Sequence, residues 1–140
     1  MNSSQISVDG VVLPNKPLTN FEIFDAVKKL GIPGFRGVFQ RYSLPKISKK
    51  KECGILNLDD STGTGTHWTA WFRNNRDKYY FDSYGLQPPL EIIDYMKSPI
   101  YYNTEKIQPR DQTFCGHLCL YVLKHMTSGK NLLEIIKDLY

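Results

Sequence analysis

The chain has 140 residues, 41% of them hydrophobic, and a formal net charge of +4. That length suits one domain with a buried core, and the apolar share is that of a globular chain rather than a disordered one. No apolar run reaches bilayer-spanning length, and the polar start from Met1 to Gly10 lacks the charged-then-apolar order of a secretory leader, so an intracellular setting is expected. There thiols stay reduced, and three cysteines, an odd number, argue against a disulfide framework.

In chain order, residues 1–17 read as an extended, polar N-terminal segment that ends at Leu13-Pro14-Asn15-Lys16-Pro17, where two prolines resist a helix. Thr19 or Asn20 can cap a helix whose apolar positions are Phe21, Phe24, Val27 and Leu30, and Gly31 supplies its stop. Phe35 to Leu44 mixes aromatic, glycine and charged residues and gives no clear assignment. The run from Lys46 to Lys51 reads either as a solvated loop or as a weak attractor of nucleic acid or another polyanion. No aromatic residue alternates with its lysines, so sequence-specific recognition is not supported.

Gly54 to Leu58 reads as a short strand, and Asp59 to Gly65 as a polar, glycine-rich loop. His67 to Phe72 and Lys78 to Asp82 read as paired strands joined at Asn74-Asn75, since Asn tolerates positive φ. Pro88-Pro89 opens a helix that runs to Met96. A third helix starts at Cys115, with a stripe of Leu118, Cys119, Val122, Leu123 and Met126. Ser128-Gly129 ends it, and Leu132, Leu133, Ile136 and Leu139 form a last helix. The expected class is α+β: one domain over residues 1–140, with a small central antiparallel sheet flanked by helices.

Three strings carry chemistry: Gly65-Thr66-His67-Trp68, Phe81-Asp82-Ser83-Tyr84-Gly85, and Phe114-Cys115-Gly116-His117-Leu118-Cys119. A two-residue turn at Asn74-Asn75 places His67 opposite Asp82, with Cβ atoms roughly 4.5–5.5 Å apart. A longer turn shifts the pairing by two and keeps both side chains on one face, because side-chain direction has period two. Cys115 opens an apolar helix, where the first amides favour a thiolate, and Gly116 would let a substrate carbonyl approach the backbone. A thiol activated by an imidazole that a carboxylate orients is the logic of a nucleophilic triad. Asp59, Asp60 and Asp111 are competing carboxylates in loops. Cys53 and Cys119 read as core thiols, His117 as structural or supporting, and His125 as without chemical context. Zinc on Cys115, Cys119 and His67 lacks an evident fourth ligand, so neither metal nor cofactor is expected.

His67-Trp68, Phe81 to Gly85, and Cys115-Gly116, in that order, resemble the adenovirus-type cysteine proteases, or adenains, relatives of the SUMO-deconjugating proteases. Upstream, Leu30-Gly31, Phe35-x-Gly37-x-Phe39 and Leu44-Pro45 extend the resemblance over most of residues 20–126. The detailed phrasing is most similar to the compact forms in Polinton (Maverick) elements and related DNA viruses. The resemblance implies a papain-like mechanism with Cys115 as nucleophile, His67 as general base and then acid, and Asp82 as the orienting group. It also implies a glutamine oxyanion donor. Gln108 has the adenoviral spacing and is preferred to Gln112, with the Cys115 amide as second donor. Trp68 would pack beside the imidazole and line the substrate cleft.

The implied function is maturation of viral or transposon capsid precursors by a cysteine endopeptidase, which tends in this family to cleave after small residues. An isopeptidase acting on ubiquitin-like conjugates and a catalytically silent binding module are the alternatives. The implied partners are a polypeptide substrate and, through Lys46, Lys49, Lys50 and Lys51, weak contact with nucleic acid. No membrane association is expected. A monomer is expected in the host cytoplasm or nucleus, with packaging in the virion as a further expectation. The chain is shorter than the adenoviral enzymes, and no residue matches the cysteine that links them to an activating peptide.

Overall fold

The computed structural model describes residues 5–58, 67–107 and 114–139. It opens on a hairpin of β1 (Gln5–Val8) and β2 (Val11–Pro14), where an extended segment is expected. The cause is Asp9-Gly10, whose φ angles of 47° and 84° make the tight turn that suits a two-residue hairpin. Helix α1 (Asn20–Leu30) begins at Thr19, the first of the two expected caps. Its side chain accepts from the Glu22 amide while Glu22 reaches back to the Thr19 amide. Gly31, at φ 68°, ends it. The buried face is Ile23, Ala26, Val27 and Leu30; Phe21 and Phe24 are exposed, a correction to the expected stripe.

Then follow β3 (Phe35–Gln40), β4 (Lys51–Asn57), β5 (Trp68–Asn74), β6 (Asp77–Phe81), helix α2 (Leu90–Met96), β7 (Tyr101–Tyr102), and helices α3 (Cys115–Thr127) and α4 (Leu132–Leu139). The five strands form one sheet in the order β3-β4-β5-β6-β7. The α+β class holds. The three central strands are antiparallel, while β3 runs parallel to β4 and β7 parallel to β6, so the whole sheet is mixed.

Strand alternation sorts the core into two layers. Cys53 and Ile55 of β4, Ala70 of β5 and Phe81 of β6 face the helices, packing with Ile23, Val27, Cys119, Leu120 and Leu123. Leu56, Trp71 and Tyr80 face the other way and pack with Ile92 and Met96 of α2. Gly54 is required beside Trp71, because a Cβ there would lie 2.3 Å from the indole ring.

A buried carboxylate lies on the α2 side of the sheet. Glu52 is fully buried, and its oxygens accept from Trp71 Nε1 at 2.9 Å, the Tyr95 hydroxyl at 2.7 Å, Arg36 Nη1 at 3.3 Å and the Lys49 amide. One side chain thereby ties β3, β5, α2 and the lysine-rich loop to β4. The loop's Lys46, Lys49 and Lys50, and Lys51 at the start of β4, are exposed. Glu52→Ala leaves a half-buried guanidinium, a hydroxyl and a buried indole N–H without their acceptor, and is expected to lower unfolding free energy by about 3–5 kcal/mol. Urea denaturation measures this; a loss under about 1 kcal/mol would rule out the hub role.

Candidate active site

The site forms where the β5–β6 hairpin meets the start of α3. His67 sits one residue before β5, its backbone held by Leu58 N–H donating to His67 C=O at 2.9 Å. Asp82 sits one residue after β6 and is fully buried. The turn is Asn75-Arg76, with Asn75 at φ 57°, so Asn74 pairs with Asp77 and Ala70 with Phe81. This corrects the expected register by two residues. His67 therefore lies diagonal to Asp82 rather than opposite it, still on the same face. His67 Nε2 and Asp82 Oδ1 are 2.7 Å apart.

The carboxylate is held from several sides. Asp82 Oδ1 also accepts from the Tyr84 amide at 2.8 Å. Asn103 brackets the Asp82 backbone: its Oδ1 accepts from Asp82 N–H at 3.1 Å, and its Nδ2 donates to Asp82 C=O at 2.7 Å. Gly85, at φ 73°, completes the turn, where a Cβ would lie 2.5 Å from the Thr104 carbonyl oxygen. Tyr84 stacks flat on the imidazole with centroids 4.1 Å apart. Asn103 and Tyr84 were not singled out from sequence. Tyr84 lies inside the Asp82 string and was a findable signal; Asn103 sits in a segment with no motif.

Cys115 is the first residue of α3, and the preceding residue, Phe114, makes no side-chain capping bond. Its Sγ accepts from the Trp68 backbone N–H at 3.4 Å, which joins it to the residue after His67. Burial alone would lower the pKa of His67. Hydrogen bonds and charge from Asp82 and Cys115 outweigh it and carry the imidazole up to about 9. The other two thiols are different. Burial pushes Cys53 up to about 12, and holds the wholly buried Cys119 well above the ordinary thiol range. None of the three cysteines is in a disulfide.

Trp68 and Gly116 turn inward. Trp68 is only 4% exposed, and its Nε1 donates to Leu18 C=O at 3.0 Å. A Cβ on Gly116 would meet Trp68 at 3.1 Å and Leu18 at 3.2 Å, so this glycine makes room for packing rather than opening the backbone to a substrate. One wall of Trp68 reaches a groove of about 430 Å³ lined also by Pro17, Asn20, Val38, Gln40 and Asn57. His117 is buried with Nε2 2.8 Å from Pro14 C=O, and His125 pairs with Asp9 at 2.9 Å. Gly65, Thr66, Asp59, Asp60, Gln108, Asp111 and Gln112 lie outside the described residues. Ile107, just before Gln108, donates its N–H to Ser83 C=O at 2.8 Å. Among the described residues, no three His, Cys, Asp or Glu side chains gather so as to hold a metal ion.

No protein-family model matches the chain. It is 33% identical over 86 residues to the SUMO-1 cysteine protease of an African swine fever virus isolate, a match covering 50% of this chain and 32% of that protein. It is 30% identical over 107 residues to the protease of bovine adenovirus 2, covering 74% of this chain and 49% of the relative. The chain thus spans about a third to half the length of these curated relatives. A crystal structure of the African swine fever virus protease superposes with a TM-score of 0.63 at 21% identity, over 87% of this chain and 62% of that one. In sequence the chain is thus similar to the cysteine proteases of African swine fever virus and the protease of an adenovirus, and it shares the fold of the former.

Proposed function

We propose that the chain is a cysteine endopeptidase that uses Cys115, His67 and Asp82, and that its substrates are viral or transposon precursor proteins, capsid precursors foremost. The observation that carries this reading is an imidazole bonded to a buried carboxylate at 2.7 Å and acted on by the one cysteine that begins a helix.

With its pKa near 9, His67 carries a proton at neutral pH and sits beside the sulfur as an imidazolium. Cys115 Sγ attacks the scissile carbonyl, and the charge that develops on the carbonyl oxygen is met by the Cys115 N–H and a glutamine side-chain amide, Gln108 in preference to Gln112. The tetrahedral adduct collapses as His67 gives its proton to the leaving amine, leaving a thioester. His67, now neutral, takes a proton from water as the water attacks the thioester, and the acid product and the thiolate–imidazolium pair are released. Asp82 keeps one ring nitrogen bonded throughout, which fixes the ring's plane and tautomer. The groove beside Trp68 is the reading's site for an extended polypeptide. A weak contact of Lys46, Lys49, Lys50 and Lys51 with nucleic acid, a monomeric state and a host cytoplasmic or nuclear location complete it.

An isopeptidase acting on ubiquitin-like conjugates needs the same three side chains, and the swine fever virus relative carries SUMO-1 in its name. Incubation with capsid precursor and with ubiquitin-like conjugates in parallel separates the two. Labelling by a thiol-reactive peptide electrophile separates both from a silent binding module.

Cys115→Ala is expected to abolish turnover and labelling while the fold persists, whereas Cys53→Ala and Cys119→Ala keep the activity of their folded fraction. A dead, folded Cys119→Ala beside an active Cys115→Ala would reverse the assignment. Gln108→Ala should lower kcat by on the order of 10²–10³ with KM little changed, and Gln112→Ala should be mild; the opposite ranking moves the donor to Gln112.

The pH profile tests the pair. The loss of the His67 proton sets an alkaline limb on kcat/KM near pH 9. Asp82 is one of the groups that raise the imidazole, so Asp82→Asn moves this limb toward acid and lowers kcat/KM at pH 7 by on the order of 10²-fold or more. The linkage has the same sign. A folded pKa above the unfolded value contributes stability that is complete below about pH 6.5 and lost as pH rises through about 9. An alkaline limb that Asp82→Asn leaves in place would sink the pairing.

A further inference from the structure

We infer that His117 is a positioning residue for Cys115: its bond to Pro14 straps the N-terminal segment across the first turn of α3, and the strap in turn fixes Trp68. The inference rests on the peptidase reading of Cys115 and adds a residue to it.

The contacts close a ring. His117 Nε2 lies 2.8 Å from Pro14 C=O, and a carbonyl only accepts, so Nε2 carries the hydrogen. Four residues on, Leu18 C=O accepts from Trp68 Nε1 at 3.0 Å. The Leu18 side chain lies against Gly116, 3.2 Å from where a Cβ would stand, and Trp68 fills the other side of that space at 3.1 Å. The Trp68 backbone N–H then donates to Cys115 Sγ at 3.4 Å. The ring thus runs from Cys115 through Gly116 and His117 to Pro14, along the strap to Leu18, across to Trp68 and back to the sulfur. Leu18, Trp68, Gly116 and His117 are all buried.

Two further observations set His117 apart from an ordinary core histidine. With Nε2 donating, Nδ1 is buried with no partner among the described residues. A second proton there has no acceptor, so the ring serves as a neutral, one-directional donor. Burial accordingly pulls its pKa below the usual value, against the raising effects of the Pro14 bond and the Glu22 carboxylate of α1. The hairpin that supplies Pro14 is also fastened further along α3, where His125 pairs with Asp9 in the β1–β2 turn at 2.9 Å. With that second fastening in place, loss of the His117 bond acts on the catalytic end of the strap.

The test compares His117→Gln, whose amide N–H reaches the place of Nε2, with His117→Leu and the shorter His117→Asn. Two readouts are taken: peptide hydrolysis, and the Trp68 indole N–H signal in nitrogen-15 NMR, which needs no substrate. For Leu and Asn, kcat should fall by about tenfold to a hundredfold with KM within about twofold, since a shift of the sulfur by a fraction of an ångström acts on the chemical step. The Trp68 indole N–H should exchange with solvent at least about tenfold faster, because its acceptor is no longer held. His117→Gln should restore most of both. A folded His117→Leu with wild-type kcat or an unmoved indole signal overturns the inference, as does a Gln variant no better than Asn. Should His117→Leu not fold, the Gln–Asn comparison decides alone. A wild-type chain without hydrolytic activity, but with the expected indole response, would fault the peptidase reading and leave the strap standing.

Discussion

The site depends on a carboxylate that has been taken out of water. Asp82 is fully buried at the end of β6, and a buried charge is tolerable only when its surroundings are fixed. That demand explains the neighbouring sequence. The Tyr84 amide needs the turn to close at once, Gly85 permits the closure, and Asn103 grips both backbone polar groups of Asp82 from the following segment. Once Asp82 is fixed, His67 has one place to go: bonded in the ring plane to Oδ1 and stacked through its face on Tyr84. The hairpin delivers the two residues to one face; the carboxylate's desolvation makes their pairing obligatory.

Glu52 offers a comparison within the same sheet. Both acids are buried, and each ties several elements together. Glu52 is saturated, with an arginine, a hydroxyl, an indole N–H and an amide on its two oxygens. Among the described residues, Asp82 bonds through Oδ1, and Oδ2 is buried without a partner. A carboxylate with one oxygen unsatisfied attracts a charge on the imidazole beside it more strongly than a saturated one would. The cysteines divide in the same way. Cys53 and Cys119 are driven toward the neutral thiol by burial, while Cys115 stands at a helix start within reach of a backbone donor.

The face shared by His67 and Asp82 was legible because it follows from a parity rule: a shift of two residues in the strand pairing changes which atoms oppose each other and preserves the face. The slip itself was not legible, since Asn74-Asn75 and Asn75-Arg76 present nearly the same turn chemistry. Helix α1 and its cap were readable from Thr19 and Gly31, but its stripe was set by tertiary packing, which buries Ile23 and Ala26 and leaves Phe21 in water. Asp9-Gly10 is a turn signal for the first hairpin, but its flanking residues are few and its second strand ends in proline, so the pattern around it reads as extended chain. Strand β3 is built around Gly37 with irregular pairing to β4, so it lacks clean alternation. The roles of Asn103, Glu52 and His117 rest on partners 21, 43 and 103 residues away, beyond the range of any local pattern.

Helices α1 and α4 begin at side-chain caps, whereas α2 follows Pro89 without one. Thr19 and Glu22 seal α1 reciprocally, and Asn131 accepts the Glu134 amide at the start of α4. Helix α3 follows Phe114, whose ring offers no oxygen to accept such a bond. Here the neighbourhood supplies the order that a cap would give: Phe114 meets His117 edge-on, His117 is tied to Pro14, and Leu18 and Trp68 close over Gly116. The N-terminal strap therefore orders the first turn of α3 by packing from outside the helix, and on the proposed peptidase reading that order is what would hold the Cys115 N–H toward an anion that develops during reaction.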